Sequence, residues 1–465
     1  MSSPSSRRIS PLLFCASAEF AILVGIFFVA VLTRFGGFPP GPLSHPAILW
    51  PRALLTAFVV VGCLYYGDLY EEHARPRRAD LFIRLVASFL AATLLLTALF
   101  YAVPRLQVGR GIVLIYLPLG LAAIFAWRVL FVWAWDNEAL SERVMILGAG
   151  QIAQSLAREM VQRSPVGFRV LGFLSARGDE VGQSIVGFPV LGTVDNVDRF
   201  AARDQATLIL VAQEDLRGQL PIDALLRCRL RGVRVEETNR FYERLTGKIL
   251  VRDLRPSSLV FGDGFVRPRL LYSIKRLTEV FVAASILVIA GPFMAVLALL
   301  VWMDGSGPVL YRQRRVGAGG RVFDLLKFRS MKASAEVSSG PVWSSPNGDA
   351  RVTRLGRVMR KLRLDELPQL INVVRGEMSF VGPRPERPEF VQRLAPVIPY
   401  YDERHTVYPG ITGWAQINFP YGSTLEDAEE KLEYDLYYVK HMSLALDAVI
   451  MLKTVKVMLM GRGAR

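Results

Sequence analysis

Four long apolar runs limit what this chain can become before any motif is considered. They extend from Pro11 to Thr33, Ile48 to Tyr66, Leu81 to Val103 and Gly111 to Trp135, and fill most of the first 135 of 465 residues. Each comes close to the ~20 residues that a helix needs to cross the hydrocarbon of a bilayer. Inside hydrocarbon every peptide group must find its partner within the chain, and a helix does this locally. The pattern therefore predicts a membrane protein with a four-helix transmembrane region over residues 1–137. A fifth apolar run, Val280 to Met303, stands far downstream. The first run exceeds a signal-peptide core and no small-residue cleavage site follows it, so it reads as a retained anchor.

Short loops set the orientation, because cytoplasmic loops hold the excess of Lys and Arg. Arg7 and Arg8 precede the first run, and Arg75, Arg77, Arg78 and Arg84 surround the loop after the second. Four crossings return the chain to its starting side, so everything after Trp135 is expected in the cytoplasm. The chain carries 56 Lys and Arg against 41 Asp and Glu, a formal charge of +15. With those cations beside apolar segments, an anionic membrane surface or phosphate ligands account for the excess better than nucleic acid does. Glu19 and Arg128 lie inside apolar runs, where pairing within a bundle competes with a polar pathway as the explanation. Cys15, Cys63 and Cys228 have neither disulfide-framework nor zinc spacing.

A change of character at Ser141 opens an α/β segment reaching to about residue 268. In "RVMILGAGQIAQSLAREM" a strand, Val144 to Leu147, turns at Gly148 and Gly150 and passes Ala153 into a helical pattern. Such a turn brings a helix N-terminus to a phosphate. "FRVLGFL", "ATLILVA" and "GVRVEE" fit further parallel strands, so residues 141–268 are expected to form a Rossmann-like domain. Cofactor binding is a separate question. Where a ribose-binding acid should follow the second strand stand Ser175, Ala176 and Arg177, with Asp179 further on. NAD is therefore not expected, and Gly148, Gly150 and Ala153 are weak candidates for a nucleotide site beside a structural or regulatory reading.

The fifth apolar run carries Gly291 and Pro292 near its centre. Proline removes a backbone hydrogen bond and clashes with the preceding turn. A kinked crossing would put residues 305–465 on the far side of the membrane. A helix-break-helix hairpin over residues 270–304, entering and leaving the same leaflet, keeps them cytoplasmic. Lys275 and Arg276, just before the run, would then lie at headgroup level, placed for a lipid phosphate or the anionic surface.

Residues 305–465 hold the polar clusters that can do chemistry. "RVFDLLKFRSMK" supplies Lys327 and Arg329, and "RVTRLGRVMRKLR" supplies Arg351, Arg354, Arg357, Arg360, Lys361 and Arg363. Arginines at every third helical position drift by only ~60° per step, forming one positive track. The track ends on adjacent acids, Asp365 and Glu366. Arg384 stands between Pro383 and Pro385, a stiff backbone suited to fixing a guanidinium on phosphate. No GxxxxGK[ST] loop is present. Carboxylates among arginines point to a divalent metal and a multiply charged phosphate substrate, with Mg²⁺ on Asp365 and Glu366.

From about Tyr272 onward the chain resembles the bacterial sugar transferases, the monotopic polyprenyl-phosphate hexose-1-phosphate transferases. The residues that carry this are "KRLTE", "GSGPVLYRQRRVG", "FDLLKFRSMK", "LRLDELPQLINVVRGEMSFVGPRP", "PGITGWAQIN" and "KLEYDLYYVKHMSLALDAVIMLKTVKVML". Four spans and a degenerate nucleotide fold ahead of them resemble the long-form members. The tail "FPYGSTLEDAEEKLEYDLYY" resembles an exopolysaccharide and exosortase-associated subgroup.

The resemblance implies transfer of hexose-1-phosphate from a UDP-hexose to undecaprenyl phosphate, with release of UMP and with Mg²⁺, at a bacterial inner membrane. It implies Asp365 as nucleophile and Glu366 as metal or orienting group. Arg360 and Arg384 match phosphate and nucleotide positions, Lys327 and Arg329 less closely, and Pro292 matches the break of a re-entrant helix. Glucose and galactose are the leading donors, and long-form members can associate through their extra domains, so a homodimer is among the implied assemblies. Two departures stand out: Glu279 replaces a usual Asp, and Phe419–Pro420 replaces a common Gly–Arg. The final helical stretch, with Lys453 and Lys456, fits a helix lying in the interface or buried in a core. The competing readings are a non-catalytic membrane scaffold and an NAD-dependent nucleotide-sugar enzyme. The latter calls for a Tyr-x-x-x-Lys that residues 141–268 lack.

Overall fold

A computed structural model describes residues 11–37, 46–70, 78–135, 141–163, 168–212, 220–251, 265, 269–305, 307–331, 352–419, 422 and 424–459. Arg7, Arg8, Arg75, Arg77, Arg351 and Pro420 lie outside them. The chain divides into two compact units, residues 1–238 and 239–465.

The first unit begins with four helices, α1 (Pro11–Phe35), α2 (Pro46–Tyr66), α3 (Arg78–Ala102) and α4 (Arg110–Trp135). α1 packs on α2 and α4, and α3 packs on the same two. Leu23, Phe27, Leu64, Leu85 and Ile124 are buried between them. Each helix is long and apolar enough to cross a membrane. Hydroxyls within them fold back onto the preceding turn, Thr33 to Val29 O at 2.8 Å and Thr93 to Phe89 O at 2.7 Å. Such back-bonding satisfies a hydroxyl that apolar surroundings would leave without a partner.

The α/β segment follows as β1 (Glu142–Leu147), α5 (Gln151–Arg163), β2 (Phe168–Ser175), β3 (Ser184–Ile185), β4 (Phe188–Thr193), α6 (Val197–Arg203), β5 (Leu208–Val211), α7 (Ile222–Leu230) and β6 (Arg234–Glu237). Its sheet has the order β3-β4-β2-β1-β5-β6, parallel except for the β3–β4 hairpin. β1 is central, paired through Val144↔Leu208 and Ile146↔Leu210 on one side and Ile146↔Phe173 on the other. That position explains its unbroken apolar run, since a strand with neighbours on both sides and covered faces has no polar face. Met145 and Ile209 bury one face with Val197 and Leu225.

The second unit contains α8 (Thr238–Thr246) from Asn239 onward, α9 (Arg269–Met303), β7 (Leu310–Val316), β8 (Val322–Phe328), α10 (Arg354–Lys361), α11 (Gln369–Arg375), β9 (Ser379–Val381), α12 (Pro388–Leu394), β10 (Gly410–Thr412), α13 (Trp414–Asn418), α14 (Leu425–His441) and α15 (Leu444–Leu459). Residues 239–251, placed by sequence in the α/β domain, pack here instead. Ile249 and Val251 are buried with Ile398, Tyr401 and Leu436. Glu243 pairs with Lys440 at 2.8 Å.

α9 differs from the expected helix-break-helix, because helical structure continues through Pro292 for all 35 residues. It is buried at two places, up to Ala283 and again from Leu297, while residues 284–296 are at most half-buried. Ala283 packs with Leu370, Val373 and Met378, and Leu297 and Val301 with Phe328 and Met359. Its other faces expose Phe281, Val288, Ile289, Phe293 and Trp302. In α15 Ile450 and Lys456 are buried, and Val449, Leu452 and Val455 are exposed.

Candidate active site

The acidic pair lies where one short helix ends and the next begins. α10 starts at Thr353, whose hydroxyl accepts the N–H of Gly356 at 2.9 Å, an N-cap. The helix stops at Lys361. Arg363 takes φ +53° and swings the chain into a tight turn, Leu364–Glu366, so the arginine track does not run onto the pair as one helix. A bulky residue in this left-handed region is uncommon. Here it folds the Arg363 side chain back over the turn, to 3.7 Å from Glu366 Oε2. Pro368 then serves as the N-cap residue of α11.

Glu366 gathers cations from three segments. Lys327 of β8 lies 3.3 Å away, Arg384 3.5 Å and Arg363 3.7 Å. Burial pushes the Glu366 carboxyl up, but Lys327, Arg384 and Arg363 outweigh it and hold it at about 2. Asp365 is only 8 % exposed, and among the described residues no cation lies within ion-pair distance of it. Burial lifts its carboxyl above the ordinary aspartate value; Lys327 opposes this, Glu366 adds to it, and Arg360 opposes it again. The two neighbouring acids are thus in opposite conditions, one beside three cations and one, among the described residues, with none at ion-pair distance.

Arg384 reaches Glu366 from a loop fixed by two glycines. β9 and β10 pair in parallel, and a Cβ at Gly382 would stand 2.2 Å from Tyr408 O, one at Gly410 2.1 Å from Gly382 N. Only hydrogen fits there. The close approach holds "GPRP" against "PGITG", which explains why sequence-distant motifs form one site.

Residues 270–461 match the family described as Bacterial sugar transferase, and residues 66–215 match the one described as CoA-binding domain. An Aeromonas hydrophila protein named UDP-N-acetylgalactosamine-undecaprenyl-phosphate N-acetylgalactosaminephosphotransferase is 40% identical over 273 residues, 58% of this chain and 63% of that one. A Xanthomonas campestris pv. campestris protein named UDP-glucose:undecaprenyl-phosphate glucose-1-phosphate transferase is 31% identical over 370 residues, covering 76% of this chain and 75% of its own. The UDP-galactose-lipid carrier transferase of Erwinia amylovora is 31% identical over 353 residues, 71% and 70% of the two chains. The chain belongs to the bacterial sugar transferase family.

For this sugar transferase the structure brings together Asp365, Glu366, Lys327, Arg384 and, through its field on Asp365, Arg360. Arg363, read in the sequence only as part of a charged track, joins them. Arg329 is engaged elsewhere. It donates to Val301 O at 2.6 Å, a carbonyl in the last turn of α9, and to Gly305 O at 2.8 Å and Pro308 O at 3.3 Å in the loop that follows.

Lys275 and Arg276 also differ from expectation as headgroup ligands. Lys275 is buried, 2.7 Å from Asp447 and 2.9 Å from the Tyr438 hydroxyl. Arg276 donates to Met378 O and Val373 O, and Glu279 accepts from the Ser379 hydroxyl. The physical reason is charge balance: two cations near the start of α9 meet two carboxylates, Glu279 and Asp447, inside the protein.

In the α/β segment Gly148 takes φ +105° and gives its N–H to Leu174 O at 2.8 Å. Ala149 O accepts from the Gln154 side chain, and buried Ala153 packs at the start of α5. At the end of β2 the Ser175 hydroxyl donates to Glu180, the acid that returns to this position in place of Asp179. For a metal, the described residues contain no group of three or more His, Cys, Asp or Glu. Asp365 and Glu366 fit Mg²⁺ only where substrate phosphate oxygens and water complete its shell, as this ion commonly requires.

Proposed function

We propose that this chain moves hexose-1-phosphate from a UDP-sugar to undecaprenyl phosphate, releasing UMP and starting an exopolysaccharide or O-antigen-type glycan. The observation that carries the reading is the convergence of Lys327, Arg363 and Arg384 within 3.7 Å of Glu366, next to a buried Asp365 that has no cation within ion-pair distance among the described residues. A diphosphate donor brings to this cluster the negative charge that such cations bind. Lys327, Arg363 and Arg384 then hold its phosphates, while Arg360 draws charge toward Asp365.

In the first step an Asp365 oxygen forms a bond to the β-phosphorus, and the bond from that phosphorus to the bridging oxygen breaks. The electron pair leaves with UMP. In the second step an oxygen of undecaprenyl phosphate attacks the same phosphorus, and Asp365 departs as a carboxylate. Mg²⁺, held by Asp365 or Glu366 together with the donor, would neutralise charge on the phosphate oxygens. Arg384, on its stiff loop, orients the donor, and Glu366 keeps the surrounding cations in place before the donor arrives.

α1 to α4 serve in this reading as four spans of the bacterial inner membrane, with the α/β and catalytic segments in the cytoplasm. α9, helical throughout, bends at Pro292 to enter and leave one leaflet. The support is that both halves touch the same domain, Ala283 with Leu370 and Val373, and Leu297 and Val301 with Phe328 and Met359; a helix crossing to the other side would take its second half away from that domain.

The test is UMP release by protein held in nanodiscs with Mg²⁺, across a panel of UDP-sugars, with and without undecaprenyl phosphate. We expect turnover with one donor that needs the acceptor, and a loss of more than about 10³-fold in Asp365→Asn. Folded wild type that is silent with every donor would leave a scaffold as the role, and an active Asp365→Asn would remove the covalent step.

A further inference from the structure

The loop that carries Arg384 is held through its carbonyl oxygens, four in succession. Pro383 and Pro385 have no N–H to give. Pro383 O accepts from Gly410 N at 2.9 Å and Glu386 O from Val316 N at 2.9 Å, so β10 and β7 secure the two ends. Between them, Arg384 O accepts from Arg404 Nη2 at 3.1 Å and Pro385 O from Arg315 Nη1 at 2.9 Å. Two guanidiniums thus grip the centre of the loop.

Arg404 is only 5 % exposed. Its Nη2 also meets Asp435 of α14 at 2.7 Å, and its Nη1 donates to the Tyr401 hydroxyl at 2.8 Å. Asp435 is 1 % exposed. A buried ion pair of this kind contributes little net stability, since apolar residues of equal volume commonly do as well. What an apolar pair cannot do is reach a carbonyl, a carboxylate and a hydroxyl in one plane, and neither can the single point charge of a lysine. Arg315 repeats the arrangement on the other side. It donates to Gln313 Oε1 at 2.7 Å and lies 3.7 Å from Glu386, which also pairs with Lys431 at 3.5 Å.

We infer that Arg404, supported by Arg315, is a positioning residue that fixes the Pro383–Glu386 backbone so that the Arg384 guanidinium stays beside Glu366, within reach of the donor's phosphates. Neither arginine touches the acidic pair, so each acts through Arg384. The inference rests on the transfer reaction proposed above. It assigns these two residues to the donor side of that reaction.

The test is a double-mutant cycle on full-length protein in nanodiscs, followed with radiolabelled UDP-sugar so that residual turnover stays measurable. Arg404→Lys in the wild-type background should lower kcat/KM for the donor by roughly 10- to 100-fold, the scale of a 1 Å misplacement, and leave KM for undecaprenyl phosphate unchanged. In an Arg384→Ala background the same substitution should change kcat/KM by less than about threefold, because its route of action is gone. Equal losses in both backgrounds, or a shift in the acceptor KM alone, overturn the inference. If Arg404→Lys does not fold, Arg315→Lys in the same two backgrounds decides by the same criterion. Wild type without UMP release defeats the transfer reading and this one with it, whereas equal losses in an active enzyme defeat only this one.

Discussion

Glu19 and Glu366 are both buried glutamates held by arginine, one among the apolar N-terminal helices and one in the catalytic segment, and their surroundings differ in a way that separates structure from function. Glu19 is fully buried and meets one guanidinium, Arg128, at 2.7 Å and 3.0 Å. The remaining nitrogen of Arg128 goes to Leu69 O at 2.7 Å, and the Tyr70 hydroxyl completes the glutamate. One negative charge meets one positive at short range. Glu366 instead has three cations at 3.3 to 3.7 Å, with Arg360 acting on its neighbour Asp365. The distances are longer, and cations from three segments converge on one carboxylate. A one-to-one pair holds helices together; a convergence of cations at longer range suits an anion that binds beside the carboxylate.

The largest effect that tests this contrast is expected at Glu366. Glu366→Gln leaves Lys327, Arg363 and Arg384 facing one another without their anion, so kcat/KM should fall by roughly 10²- to 10³-fold and the protein should melt earlier. Removing one of those cations as well, by Lys327→Met, should restore part of the melting temperature and none of the activity. Recovery of activity in the double variant would show that the cations serve the fold and not a phosphate.

Next in size is the change at Glu19. Glu19→Gln leaves Arg128 without a counter-charge in an apolar setting, a loss on the order of 3–5 kcal/mol when one partner of a buried pair is removed. UMP release per folded molecule should stay as in wild type. Glu19→Leu combined with Arg128→Met should recover most of the stability. Thermal unfolding in detergent and turnover measured on the same samples separate the two effects. Turnover lost in a well-folded Glu19→Gln would break the comparison, because it would give the helical cluster a part in the reaction.

The sequence made some of this legible and hid the rest for identifiable reasons. The apolar runs, the turn at Gly148 and the motif around Asp365 are local patterns, and each appears where periodicity and spacing place it. Arg329, Lys275 and Arg276 looked like phosphate ligands because charge is visible in a sequence and its partner is not. Their partners are backbone carbonyls and, for Lys275, Asp447, 172 residues away. Arg404 and Arg315 were missed for the converse reason, since nothing nearby in sequence marks an arginine whose task is to hold a carbonyl 20 or 70 residues distant. The left-handed turn at Arg363 was not legible either, because a helix-friendly run of arginines gives no sign of where it stops.

The smallest expected effect is one of pH, and it sets Asp365 against Glu366. Glu366, held at about 2, contributes stability that is complete above its ordinary value of 4.5 and is lost as the pH falls toward 2. Asp365 has the opposite sign: its carboxyl is raised above 3.8, so its ionised form costs stability at neutral pH, and that cost disappears as the group protonates. Acidification from neutrality should therefore remove activity before it removes stability, since the reaction needs Asp365 ionised. The acid limb of kcat/KM should lie above 3.8, while the melting temperature holds level or rises slightly until the pH drops below 4.5. Asp365→Asn, which keeps the shape and deletes the buried charge, should melt higher than wild type at neutral pH and lose the slight rise on acidification. A variant that melts lower at neutral pH would mean that Asp365 is held by an attractive partner after all, and the contrast between the two acids would then have to be redrawn as one shared network.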